Sequence, residues 1–296
     1  MQLAPALLLL VSAAVADSSW IAINGSSYDW SCIGRFVLPG ETLRFRMVDS
    51  AGCGGWIAAN GEIFITGPSQ AEWVAPAEPG LYNLLAIGST RTATINVFVM
   101  IPFDSLKDGW LRGIRFGRYP TGVSFAHLER PRGFVVVTPE NETTRVSPHY
   151  SIGEFAVGQF EGYPKYIAIR EGIVLKLELL TKMVAMKRHG NHKLRVISGF
   201  RTPARQRRGS AHRQSAHMYG AAVDIYVDAD ENHLMDDLNH DGDINCKDAQ
   251  LLASYVDELE SERPELTGGC GWYRRRASRG PFVHIDVRGE RQRWHQ

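Results

Sequence analysis

The chain has 296 residues, 44% hydrophobic and 22% charged, the composition of a globular protein long enough for two ordinary domains. Lys and Arg total 33 against 32 Asp and Glu, a formal net charge of +1, so no overall charge draws it to nucleic acid or to an anionic membrane surface. The basic stretch Arg201 to Arg213 is local and would suit an anionic substrate.

Residues 3–16, LAPALLLLVSAAVA, form an apolar run ending in Ala14-Val15-Ala16. That fits a secretory signal over 1–16, although no Lys or Arg precedes the run. The run is short for a membrane span; the alternative is an uncleaved anchoring helix. No other segment is apolar for long enough to cross a bilayer. Export implies a periplasmic or extracellular place, where disulfides are permitted. Four cysteines allow three pairings. Cys32 and Cys53 share one predicted β region, and Cys246 and Cys270 flank a predicted helix.

Residues 17–102 read as an all-β, immunoglobulin-like sandwich. Apolar alternating runs such as Thr42 to Met47 and Thr92 to Val99 lie between turn signals, among them Pro39-Gly40, Asn60-Gly61 and Pro79-Gly80. Trp20, Trp30, Trp56 and Trp73 suit either a core or sugar stacking. Residues 103–146 show little periodicity and read as a connector packed on the following domain.

The second domain spans 147–296. Ile167, Ile169, Ile173, Val174, Leu177, Leu180, Met183 and Val184 predict a helix over 165–189, stopped by Gly190. Lys193 to Ile197 predicts a strand, 247–259 a helix and 282–287 a strand. In that last strand His284 and Asp286 share one face, and Val283, Ile285 and Val287 the other. Helices beside a mainly antiparallel sheet make this an α+β domain.

Within it, Ser215-Ala-His217-Met-Tyr-Gly220-Ala-Ala222-Val-Asp224 is answered by Phe282-Val-His284-Ile-Asp286. Two imidazoles and a carboxylate at such spacing offer Zn²⁺ three ligands and leave a fourth position open, as a catalytic zinc site requires. Val223, Ile225 and Val227 alternate with Asp224, which puts the carboxylate on a strand face opposite theirs.

This pattern resembles the zinc D-Ala-D-Ala carboxypeptidases and murein endopeptidases, the M15-like zinc peptidases, over roughly 147–296. Ser198-Gly-Phe-Arg201-Thr-Pro203 and the F-V-H-x-D strand place it nearest the branch that includes murein endopeptidases. The resemblance implies zinc at His217, Asp224 and His284, and peptidoglycan peptides as substrate. It implies an active-site arginine at Arg201, which would stabilise an oxyanion or grip a substrate carboxylate. Better-known members carry a proton acceptor two or three residues before the last zinc histidine. Here those positions are Phe282 and Pro281, which accept no proton. Asp286 is the nearest substitute, either as base or as the carboxylate that orients His284. His149 and His212 are further acid/base candidates. The missing base also motivates a second reading, a cell-wall or partner binding protein on an inactive peptidase scaffold.

A further acidic insertion runs over 228–248. Asp237, Asn239, Asp241, Asp243, Asn245 and Asp248, with Gly242, follow the spacing of an EF-hand loop and resemble the calcium loops of dockerin modules. A structural Ca²⁺ is one expectation for them. A solvated loop with Asp248 capping the next helix is the other. Upstream, Asp228-Ala-Asp230-Glu-Asn232 would supply a second ion or further oxygens.

Overall fold

The computed structural model describes residues 19–48, 54–120, 128–157, 159, 162–188, 193–206, 215–274 and 280–296. The expected signal segment, Cys53 and His212 lie outside the described residues.

The N-terminal unit contains β1 (Ile21–Ile23), β2 (Ser26–Tyr28), β3 (Cys32–Val37), β4 (Thr42–Met47), β5 (Gly55–Ala58), β6 (Glu62–Gly67), β7 (Gln70–Val74), β8 (Gly80–Ile87) and β9 (Thr92–Val99). They form two sheets, ordered β2-β1-β4-β7-β6 and β3-β9-β8-β5. Strand β4 shows why they pack. Leu43, Phe45 and Met47 point into the interior while Arg44 and Arg46 face water. Ile21, Leu43 and Trp73 of the first sheet meet Ile33, Leu84 and Ile95 of the second in one apolar core. Trp20, Trp30 and Trp73 are buried, and Trp56 packs on Phe45 with ring centroids 5.1 Å apart. The burial of the first three removes them from sugar stacking.

The stretch after the sandwich carries β10 (Ile101–Pro102), β11 (Trp110–Leu111), β12 (Ile114–Arg115) and β13 (Gly133–Val137). Strand β14 (Lys165–Ile167) completes a sheet ordered β10-β13-β14. Phe116, Phe134 and Val137 belong to the same apolar cluster as Phe200 and Ile225.

The helix expected over 165–189 begins only at α1 (Glu171–Arg188). Lys165, Tyr166 and Ile167 instead pair with Val137, Val136 and Val135. An aromatic and a β-branched residue just after Pro164 suit a strand, and the deciding partner lies about thirty residues upstream in sequence. Helix α1 buries Ile173, Val174, Leu177, Leu180 and Val184.

The main sheet of the second unit comprises β15 (Leu194–Ser198), β16 (Ala222–Val227), β17 (Gly269–Tyr273), β18 (Phe282–Asp286) and β19 (Gln292–His295). Its order is β15-β16-β18-β17-β19, antiparallel except for the parallel pair β17 and β19. Helix α2 (Cys246–Glu262) is capped by Asn245 and Asp248 and buries Ala249, Leu252, Val256 and Leu259. The buried Lys176 ammonium joins the layers. It donates to Glu260 on α2 at 2.6 Å and to the carbonyls of Leu266 at 3.0 Å and Asp286 at 2.8 Å. Cys32, Cys246 and Cys270 carry free thiols, so no bridge joins Cys246, at the start of α2, to Cys270 beyond its end.

Candidate metal centre

His217 lies on a single 3-10 turn, Ala216–Tyr219, closed by Gly220 in the left-handed region at φ 63°. A Cβ on Gly220 would sit 2.3 Å from the Ala168 carbonyl carbon, so glycine lets the turn pack on the chain entering α1 and aims His217 inward. Asp224 on β16 is directly opposite His284 on β18. Cross-strand partners share a sheet face, so these two side chains meet. His217 Nε2 lies 3.1 Å from Asp224 Oδ1 and 3.1 Å from His284 Nδ1, and His284 Nδ1 lies 3.0 Å from Asp224 Oδ1. All three residues are buried.

The outer contacts fix which atoms face inward. His217 Nδ1 is 2.7 Å from the Gly199 carbonyl, which only accepts, so Nδ1 carries the proton and Nε2 a lone pair. His284 Nε2 is 3.1 Å from the Asp286 carboxylate, so Nε2 donates and Nδ1 carries the lone pair. Asp224 Oδ1 adds a third. Three lone pairs aimed at one point repel one another unless a cation sits among them. The donor set of two imidazoles and one carboxylate therefore fits a zinc ion.

The protonation tendencies agree with ligand duty. Burial would raise the Asp224 pKa, but His217 and His284 outweigh it and hold the carboxyl well below its ordinary range. Burial lowers the pKa of His217 and keeps it neutral. At His284 burial is outweighed by hydrogen bonds to Asp224 and Asp286, and the pKa rises, so protons and metal compete for that ring.

Arg201 follows β15 and is 30% exposed beside the trio. Its Nη2 donates to Asp224 Oδ2 at 2.5 Å and its Nε to Ser198 Oγ at 2.9 Å. Asp286 is fully buried behind His284. Its carboxylate accepts from His284 Nε2, from the Gly269 amide at 2.7 Å and from Arg288 Nε at 2.9 Å. Burial would raise its pKa, but His284 and Arg288 outweigh burial and keep it ionised. Of its two expected roles, this geometry fits the orienting carboxylate and not the base, which needs access to water. At the base positions of better-known peptidases, Pro281 is buried and Phe282 stacks on Tyr273 with centroids 4.4 Å apart. His149 Nδ1 is held by Glu178 of α1 at 2.6 Å.

Sequence reasoning missed Arg288 and Trp294. The alternation that put His284 and Asp286 on one face extends to Arg288 and would have found it. Trp294 comes from β19, whose pairing with β17 has no local signature. Its ring lies 5.3 Å from that of His284 and crosses Gly271, where a Cβ would fall 2.2 Å from the indole.

The calcium expected at Asp237–Asp248 is not supported by the loop's contacts, although Asp237 Oδ1 is buried without a hydrogen-bond partner. Asp248 turns one oxygen to the Leu238 and Asn239 amides and the other to the Asn245 amide. Asp241 accepts from Lys247 Nζ at 2.8 Å, and Asn239, Asp241 and Asp237 accept from the amides of Asp241, Asp243 and Gly242. Asn245 caps α2 through the Lys247 amide. Among the described residues, the acidic groups outside the histidine site that converge are Asp228, Asp230 and Asp236.

Residues 159–244 match a family model described as Peptidase M15. The matched segment contains Arg201, His217 and Asp224 and ends before His284. No curated protein matches the chain. The match supports a peptidase, and M15 peptidases are typically zinc-dependent, in keeping with the donor set found here.

Proposed function

We propose that the protein is an exported zinc metallopeptidase that hydrolyses peptide bonds in peptidoglycan. Cleavage of stem-peptide crosslinks is the first choice and removal of a terminal D-amino acid the second. One observation carries this reading: inward lone pairs of His217, Asp224 and His284 converge within 3.0–3.1 Å in a region overlapping the Peptidase M15 match. Bound there, zinc supplies a Lewis acid that polarises a carbonyl and lowers the pKa of water. Arg201 holds the second oxygen of Asp224 and turns a partly exposed guanidinium toward the place where a tetrahedral oxyanion develops. Asp286, clamped by Arg288, holds the His284 ring and its tautomer. Among the described residues, no helix is long and apolar enough to cross a membrane.

Pro281 and Phe282 favour a second reading, a wall-binding protein that keeps the metal and does not cleave. Mass spectrometry of muropeptides released from crosslinked peptidoglycan by the zinc-loaded protein separates the two. The peptidase reading expects new uncrosslinked or shortened peptides, absent with a folded His217→Ala protein. Unchanged muropeptides from a zinc-loaded wild type across several wall types would leave the binding reading.

A further inference from the structure

We propose a second cation site, oxygen-lined and of the calcium class, built by Asp228, Asp230 and Asp236 where the chain leaves the strand that carries Asp224. Asp224, Tyr226 and Asp228 alternate onto one face, and four residues at about 3.3 Å per residue put Asp228 about 13 Å along from the histidine site. The two sites are therefore separate.

Asp228 carries the argument. It is 3% exposed, and its Oδ2 accepts from Arg195 Nε at 3.0 Å and from the His233 amide at 3.3 Å. Its Oδ1 is equally closed off from water and has no hydrogen-bond partner. A buried carboxylate oxygen in that state destabilises the fold unless a donor or a positive group meets it. Asp230 and Asp236 would bring that group's other ligands, with Asp230 now accepting from the Asn232 amide at 3.3 Å and from Asn232 Nδ2 at 2.9 Å. One carboxylate oxygen from each of the three residues lies within 4.8 Å of the others. Calcium–oxygen bonds are about 2.3–2.6 Å, so oxygens on opposite sides of one ion stand up to about 5 Å apart, and all three reach the same ion.

Arg195 on β15 is the cation that Asp228 meets. Glu231 meets the same guanidinium at 3.6 Å but is 82% exposed and screened by water. An all-carboxylate set is hard and suits calcium over zinc. Asp230 is exposed and Asp236 half-buried, which leaves the ion partly hydrated in the irregular geometry that calcium tolerates better than magnesium. Ala229 already donates its amide to Asp236 at 3.0 Å, so the loop is folded back toward the strand end before any ion binds. The ion's role is to fix the exit of β16.

The test is a calorimetric titration with calcium chloride of the full, zinc-loaded chain, followed by thermal unfolding with and without calcium. The expected result is one calcium per chain and a rise in Tm. Asp230→Asn and Asp236→Asn should each weaken binding by about tenfold or more and remove the rise. Asp230 is exposed, so its variant folds even if Asp228→Asn does not. Asp241→Asn, in the downstream loop, should bind as the wild type does. No binding at millimolar calcium would overturn the proposal. So would binding kept in Asp230→Asn and lost in Asp241→Asn, which would put the ion in the downstream loop.

Discussion

Neither oxygen of Asp286 is left over for a proton in transit. Gly269, Arg288 and His284 take them all, so the role proposed for the residue runs through His284. Asp286→Asn therefore tests positioning. Zinc affinity, measured against a chelator, should fall about 10–100-fold, the usual cost of losing a carboxylate behind a metal histidine. Arg201→Lys makes the complementary case. A lysine keeps the charge but not the planar fork that reaches both Ser198 and Asp224. Zinc content should stay the same while kcat falls about 10²–10³-fold on a muropeptide substrate. A fall in zinc content instead would make Arg201 a support of Asp224 and nothing more.

The turn Ala216–Tyr219 is small, yet it places His217 against Asp224 and His284. Gly220→Ala would need a side chain at φ 63° and a Cβ against the Ala168 backbone. Summing left-handed strain and overpacking, roughly 2–4 kcal/mol of stability should be lost, read from urea unfolding of the folded variant. At this scale the sequence was partly legible. The alternation over Phe282 to Asp286 showed which side chains share a face, and β18 has that arrangement with His284 opposite Asp224. A strand leading to Ser198 and a helix after Asn245 were also readable from local pattern, and β15 and α2 lie there. Pairings between distant segments were not readable. Tyr166 and Ile167 carry apolar spacing that suits a helix, and only Val135 and Val136 make them a strand. Trp294 reaches His284 through a parallel pairing that leaves no trace in its own neighbours. The acidic loop was only partly readable for a related reason. Spacing marks where oxygens occur but not which amides they bind, and Asp248 went to three of them.

Across the molecule, one ammonium ties the sheet to both long helices. Lys176 on α1 meets Glu260 on α2 and the Asp286 carbonyl on β18, one residue beyond the strand neighbour of His284. Removing one partner of a buried pair leaves the other charge stranded, at about 3–5 kcal/mol. Lys176→Met should approach that loss in chemical denaturation, moderated because Arg293 also holds Glu260. The sandwich has its own core, so Trp73→Ala should cost about 3–5 kcal/mol there and leave zinc binding at His217 unchanged, measured on the folded variant.

The unbridged cysteines give the fold a clock. Cys270 is buried in β17, beside the strand of His284, and burial pushes its thiol up to about 12, so almost no thiolate exists at neutral pH. An alkylating reagent reaches it only when the sheet that carries His284 opens. Mass-resolved labelling of Cys270 over time thus reports how often that sheet breathes, and if zinc binds there as proposed, saturating zinc should slow that labelling without any engineered probe.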